Sequence, residues 1–252
     1  MRPLKQDPWS YDNITKANPA PAELGPTRVI HIPPDITDTV YLKDTSDREV
    51  RSYAALSYCW GGEERNKLKT TRATLTERQR GIEYRQLPKT LQDAITVARD
   101  LGLLYLWIDA LCIIQDDDHD KATEIARMSQ VYRGASLTIS ASRAAHCDEG
   151  FLHKRDLEAQ YLDVYQLTWR EGSQQSHSQN VFCSELPYYY CEIDPIDARA
   201  WTMQEHRLAR RLLRFGSGQL AWRCEQRKYI EVDGGVLARR RPIITTGVFT
   251  TK

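Results

Sequence analysis

The sequence predicts an α/β fold in which helices flank a parallel sheet, and three observations carry that prediction. Leu103–Ile108 is apolar on both alternating faces, which suits a central strand covered on both sides. Before it, Leu91, Ala94, Ile95, Ala98 and Leu101 recur at helical spacing; after it, Ile125, Met128, Val131 and Tyr132 do the same. Strand-like runs at residues 53–59 and 137–141 bracket the set, and strand–helix–strand–helix–strand order is that of a parallel sheet.

Taken in order, residues 1–27 carry Pro3, Pro8, Pro19, Pro21 and Pro26 without periodicity and read as an irregular lead-in. Arg28–Ile32 alternates like a strand and stops at Pro33-Pro34, with Thr39–Leu42 as its hairpin partner or a separate edge strand. Tyr53–Cys59 is the next strand, broken by Trp60-Gly61-Gly62, and residues 63–86 are a charged loop with room for one short helix. Thr90 suits an N-cap, with Asp93 where a carboxylate meets free N–H groups, and Gly102 suits the left-handed end of that helix. Gln115-Asp116-Asp117-Asp118 forms an acidic loop, a second helix closes at Gly134, and Leu137–Ala141 is a strand.

The C-terminal third predicts additional edge strands. Leu162–Trp169 and Val181–Cys183 are strand candidates around a polar loop at 172–180. Asp194-Pro195 is a helix start. Trp201, Glu205, Leu208 and Leu212 then form one helical face, with Arg207, Arg210, Arg211 and Arg214 on the rest and Gly216 as the stop. Leu220–Cys224 reads as a last strand. The expected organisation is a lead-in at 1–27, one domain at 28–232, and a tail at 233–252 that opens a missing region.

Composition narrows the function. A formal net charge of +1 gives no electrostatic ground for a nucleic acid or an anionic membrane as the main partner. The apolar run from Leu101 to Ile114 is broken by Asp109 and falls short of the roughly 20 residues of a spanning helix. No signal-peptide core precedes Asn13, and the scattered cysteines form no Cys-x-x-Cys pair, so a cytoplasmic protein with free thiols is expected. Phosphate-binding glycine loops, His-Glu-x-x-His and Gly-x-Ser-x-Gly are all absent. With His146-Cys147 isolated, no metal site is expected.

The carboxylates are the chemical candidates. Glu205 interrupts an apolar helix face, so it is either paired with an arginine, Arg199 being the local candidate, or lines a cleft. Asp109 follows a buried strand of a parallel sheet, where ligands bind, though an Asp there also caps backbone N–H groups. Asp116–Asp118 offer a cation site or simply a solvated helix start. Trp60 and Gly61 end another strand, where glycine allows close backbone approach to a ligand and a tight turn is the alternative. Cys59 has no nearby base in sequence to activate it.

Three blocks together resemble the fungal heterokaryon-incompatibility (HET) domain. They are Tyr53-Ala-Ala-Leu56-Ser57-Tyr58-Cys-Trp60-Gly61; Leu87-Pro88-Lys-Thr90 through Leu106-Trp107-Ile108-Asp109-Ala-Leu111-Cys112-Ile113-Ile114-Gln115-Asp116-Asp117; and Arg199-Ala-Trp201-Thr202-Met-Gln204-Glu205. One departure is Lys121 after Asp120, where the family usually has Trp. The resemblance implies a module of intracellular non-self recognition whose activation triggers programmed cell death. It also implies distant kinship to TIR domains, with their flavodoxin-like sheet and, in some members, NAD hydrolysis by a glutamate shortly after a tryptophan. Trp201-Thr-Met-Gln-Glu205 is similar to that arrangement. On this basis Glu205 and Asp109 are catalytic candidates, and Tyr58, Trp60, Gly61, Gln115, Asp116, Arg199 and Trp201 ligand-binding candidates, with NAD as the possible substrate. The alternative is a non-catalytic signalling module acting by self-association or partner recruitment. A polynucleotide binder working through the arginines of 207–214 is the weakest reading, because they lie on one helix of a near-neutral chain.

Overall fold

A computed structural model describes residues 25–35, 38–45, 50, 52–62, 68–154, 164–169, 179–184, 193–224, 228–232 and 236–239. The lead-in up to residue 24, most of the 172–180 loop and most of the tail lie outside them. Ten strands form one sheet. In chain order these are β1 (Arg28–His31), β2 (Thr39–Asp44), β3 (Ala54–Ser57), β4 (Ile82–Glu83), β5 (Tyr105–Trp107), β6 (Leu137–Ser140), β9 (Arg211–Phe215), β10 (Leu220–Cys224), β11 (Lys228–Val232) and β12 (Val236–Arg239). Strands β7 (Val164–Trp169) and β8 (Gln179–Ser184) form a separate hairpin. The helices are α1 (Leu75–Arg80), α2 (Lys89–Asp100), α3 (Asp109–Cys112), α4 (Asp118–Gly134) and α5 (Ala200–Leu208).

The sheet runs β12-β11-β10-β9-β6-β3-β5-β1-β2-β4. Its middle, β9-β6-β3-β5, is parallel, and antiparallel strands extend both edges. Numbered along the chain, the parallel strands lie in the order 2-1-3-4, the flavodoxin-like arrangement of a doubly wound sheet. The order reverses between β3 and β6, where Ser57 faces Ser140 in register. In such sheets ligands bind at that switch point, beyond the carboxyl ends of the strands.

The core follows the apolar pattern. Leu106, Trp107 and Ile108 are fully buried, as are Leu56, Leu137 and Ile139. Helix α4 is fastened to β3 by two phenols: Tyr53 donates to the Val131 carbonyl (2.7 Å) and Tyr132 to the Leu56 carbonyl (3.1 Å). Ile125 departs from the expected face and is 46% exposed. Glu124 takes the inward position instead, accepting a hydrogen bond from Thr27 Oγ1 at 2.6 Å. Asp120, beside the departing Lys121, pairs with the buried Arg28 guanidinium and accepts the Ile114 N–H.

Helix α2 starts after Pro88 rather than after Thr90. The Thr90 N–H is satisfied by the Cys147 carbonyl (2.8 Å), so the 146–152 turn serves as the cap and no side-chain cap is needed. Asp93 acts outward from the helix: its Oδ2 accepts the Phe151 and Leu152 N–H groups at 2.7 and 3.0 Å, and Oδ1 meets Lys89 Nζ at 2.5 Å. The helix expected from Asp194 to Gly216 is a short 3-10 turn at Pro195–Ala198, then α5, then strand β9. Leu212 therefore lies on a strand, buried beside β6, and not on the face of α5. Trp201 is 59% exposed, so Glu205 and Thr202 are the buried side chains of that helix. The arginine face dissolves with it: Arg214 pairs with Asp194 and Asp197, and Arg211 donates to the Ser136 carbonyl. Strands β11 and β12 carry the sheet past Cys224 and past residue 232.

Candidate functional site

The carboxyl edge of the parallel strands holds two buried carboxyl groups, Asp109 and Glu205. Strand β3 runs into Tyr58-Cys59-Trp60, β5 runs into Asp109, and α5 lies across the switch point with Glu205 directed inward. Glu205 is 3% exposed, and its Oε2 accepts a hydrogen bond from Ser57 Oγ at 2.5 Å. The neighbouring His206 bonds through Nε2 to Ser140 Oγ at 2.9 Å, and Ser140 in turn to Ser142 at 2.8 Å. Consecutive residues of one helix thus grip the two strand-end serines that face each other across β3 and β6.

Asp109 is held by three bonds. Both its oxygens accept from Trp60 Nε1, at 3.0 and 2.9 Å, and Oδ1 also accepts the Ala110 N–H at 2.7 Å. Burial, reinforced by the Glu205 charge, pushes its carboxyl up to about 7, against the pull of Arg199. Burial also raises Glu205, opposed by the Ser57 hydrogen bond and by Arg199. The Glu205 charge thus acts on Asp109, and the Arg199 charge opposes both upward shifts. Arg199, at the N-cap of α5, donates to the Tyr58 carbonyl and lies beside Cys59, whose thiol burial pushes up. His206 is depressed to about 4 by burial first and then by Arg214, so it is neutral at physiological pH.

A shallow cleft that encloses only about 10 Å³ opens between α4 and α5. Buried Tyr132 and Glu205 form its inner end, Met128 and Leu208 supply apolar wall, Ser129 and Gln204 supply polar groups, and exposed Trp201 stands on the rim. Chemically the cleft offers an exposed aromatic ring and a buried carboxylate. It suits a planar ring attached to a group that donates hydrogen bonds or develops positive charge.

Of the candidates from sequence, Asp109, Glu205, Arg199, Tyr58 and Trp60 belong to one electrostatic and hydrogen-bonded cluster, and Trp201 joins it through the cleft. Trp60 is committed inside the protein: its N–H serves Asp109, and Lys69 Nζ stands 5.3 Å over its ring. Gly61 adopts φ 82°, a left-handed turn on the exposed side. Gln115 supports Asp109 from behind, donating to its main-chain carbonyl at 3.1 Å. Asp116 turns the other way and accepts the Arg72 N–H at 2.8 Å. Asp117 caps α4 through the His119 and Asp120 N–H groups, so these carboxylates are tied up as helix and loop caps. Among the described residues no group of three or more His, Cys, Asp or Glu could hold a metal, and none of the helices is long and apolar enough to cross a membrane.

Sequence reasoning missed Ser57, Tyr132 and His206. Ser57 carried a usable signal: alternation along 53–58 places it on the same face as Ala55, beside a strand-end carboxylate site.

Comparison with known proteins agrees with these blocks. A family described as heterokaryon incompatibility protein (HET) matches residues 53–205, from the start of β3 to Glu205. A Neurospora crassa protein, heterokaryon incompatibility protein 6, OR allele, is 27% identical over 143 residues, covering 52% of this chain and 20% of its own length. The chain thus spans about a fifth of that relative. No solved structure matches.

Proposed function

The chain belongs to the heterokaryon-incompatibility family, and from that premise we propose that it is a cytoplasmic module of fungal non-self recognition that triggers cell death by cleaving NAD. The observation that carries this reading is the buried Glu205 carboxylate at the switch point, at the inner end of a cleft whose rim is an exposed tryptophan. In the proposed reaction Trp201 stacks on the nicotinamide ring, and Glu205 holds the ribose hydroxyls. The carboxylate then stabilises positive charge on the ribose as the C–N bond breaks, and water completes hydrolysis to nicotinamide and ADP-ribose. Asp109, balanced near neutrality, is the group able to hold or release a proton beside that carboxylate. The space enclosed between α4 and α5 is about 10 Å³, room for one water, so a nicotinamide ring enters only as Trp201 and its α5 neighbours move off α4, with the rest of the dinucleotide running outward past Trp201.

A second reading has its own support. Trp201, Met203 (68% exposed) and Ile193 (82% exposed) leave apolar surface on and before α5, as a non-catalytic module acting by self-association or recruitment requires. One experiment separates the two. Purified protein, concentrated enough to self-associate, is incubated with NAD, and nicotinamide is measured. Release supports the enzyme, and its absence from a protein that self-associates overturns the enzymatic reading in favour of the module.

A further inference from the structure

We propose that Ser57 is the positioning residue of this site: its hydroxyl fixes the Glu205 carboxylate at the switch point and sets the direction in which that carboxylate acts. The functional consequence rests on reading Glu205 as catalytic; the geometric claim does not.

Ser57 is the last residue of β3, is 1% exposed, and has its hydroxyl 2.5 Å from Glu205 Oε2. Tyr132 stands beside the same carboxylate, but its one phenolic proton goes to the Leu56 carbonyl, so it cannot donate to Glu205 at the same time. Ser57 is therefore a directed hydroxyl donor to Glu205 from a rigid element, a central strand paired in parallel on both sides. Functional groups held on strands and helices are placed more accurately than those on loops. The second grip, His206 on Ser140, fixes the rotation of α5 and so the face on which Glu205 emerges. Alanine here would leave a buried carboxylate without that donor.

The test compares Ser57→Ala and Ser57→Thr in the full chain. The Glu205 side-chain carboxyl is followed by carbon-13 NMR against pH, with the signal assigned through Glu205→Gln, and the pH profile of NAD cleavage is measured in parallel. Asp109, Arg199, Tyr132 and Cys59, the other titratable groups that face this carboxyl, are unchanged in both variants. Removing the donor should move the Glu205 midpoint up by about one pH unit. The cleavage profile should shift by the same amount, and threonine should restore both. An unmoved midpoint in Ser57→Ala, or a threonine variant that titrates like alanine, would overturn the proposal. If the alanine variant does not fold, Ser57→Cys, slightly larger than serine but a weak donor, carries the same comparison. The NMR titration stands even for a protein that does not cleave NAD, so failure of the enzymatic reading is seen separately.

Discussion

Replacing Asp109 with asparagine should make the protein more stable at pH 8, even though it removes a well-bonded buried side chain. The Asp109 carboxyl lies at about 7 in the folded chain against an ordinary 3.8, chiefly because burial disfavours its charge. The folded state therefore holds this proton more tightly than the unfolded chain. Stability from Asp109 is complete below about pH 4 and is lost as pH rises through 7. Three units at about 1.4 kcal/mol each put that loss on the order of 4 kcal/mol. Asparagine cannot ionise, and its Oδ1 can still accept from Trp60 Nε1 and the Ala110 N–H. Its NH₂ group must find a new partner, which costs about 1–2 kcal/mol. A net gain of about 2 kcal/mol at pH 8 corresponds to a melting temperature higher by roughly 4–8 °C for a domain of this size. Thermal melts of both proteins at pH 5 and pH 8 measure it, and the gap should narrow at the lower pH. A variant less stable than wild type at pH 8, with parallel pH curves, would refute the claim that Asp109 is held against its charge. A site that stores instability in this way is the usual mark of function over stability.

Two further predictions concern the scaffold. Leu106→Asp should prevent folding, because an unpaired charge in fully buried β5 costs several kcal/mol, comparable with a domain's whole ~5–15 kcal/mol of stability; a soluble, cooperatively melting variant would show that β5 is not central. Gly150→Ala should lower stability by about 1–3 kcal/mol in denaturant titration, since φ is +76° there and a Cβ would sit 2.6 Å from Lys89 Cγ and 2.7 Å from Asp93 Oδ2. Unchanged melting would mean that the 146–152 turn does not cap α2 tightly.

The parallel core was legible because its residues obey one rule at a time. Leu103–Ile108 is apolar on both faces, and the residues that follow it, Asp109 above all, stand where ligands of parallel sheets stand. The segment from 194 to 216 was not legible, because two periods overlap there. Trp201, Glu205, Leu208 and Leu212 satisfy a helical spacing by coincidence, while β6 offers Leu212 and Leu213 a place in the sheet. Tertiary pairing decided: Arg214 went to the carboxylates of Asp194 and Asp197 at the 3-10 turn, and Arg211 to the Ser136 carbonyl, rather than to a helix face. Ile125 misled for a similar reason: Glu124 found a hydroxyl partner inside, which the apolar pattern does not reveal. Glu205 was legible as an inward carboxylate, but its donor was not, since a serine in an apolar strand looks like filler until α5 is laid across it.

Whether the Glu205 carboxylate performs chemistry in the cleft is decided by the rate of nicotinamide release by Glu205→Gln beside wild type. Glutamine keeps the size of the side chain and can still accept from Ser57, so the melting temperature should hold. Loss of the charge should lower the rate by about 10²–10⁴-fold, the usual range for a positioned acid–base group. A folded Glu205→Gln protein that releases nicotinamide at the wild-type rate would show that this carboxylate is not catalytic.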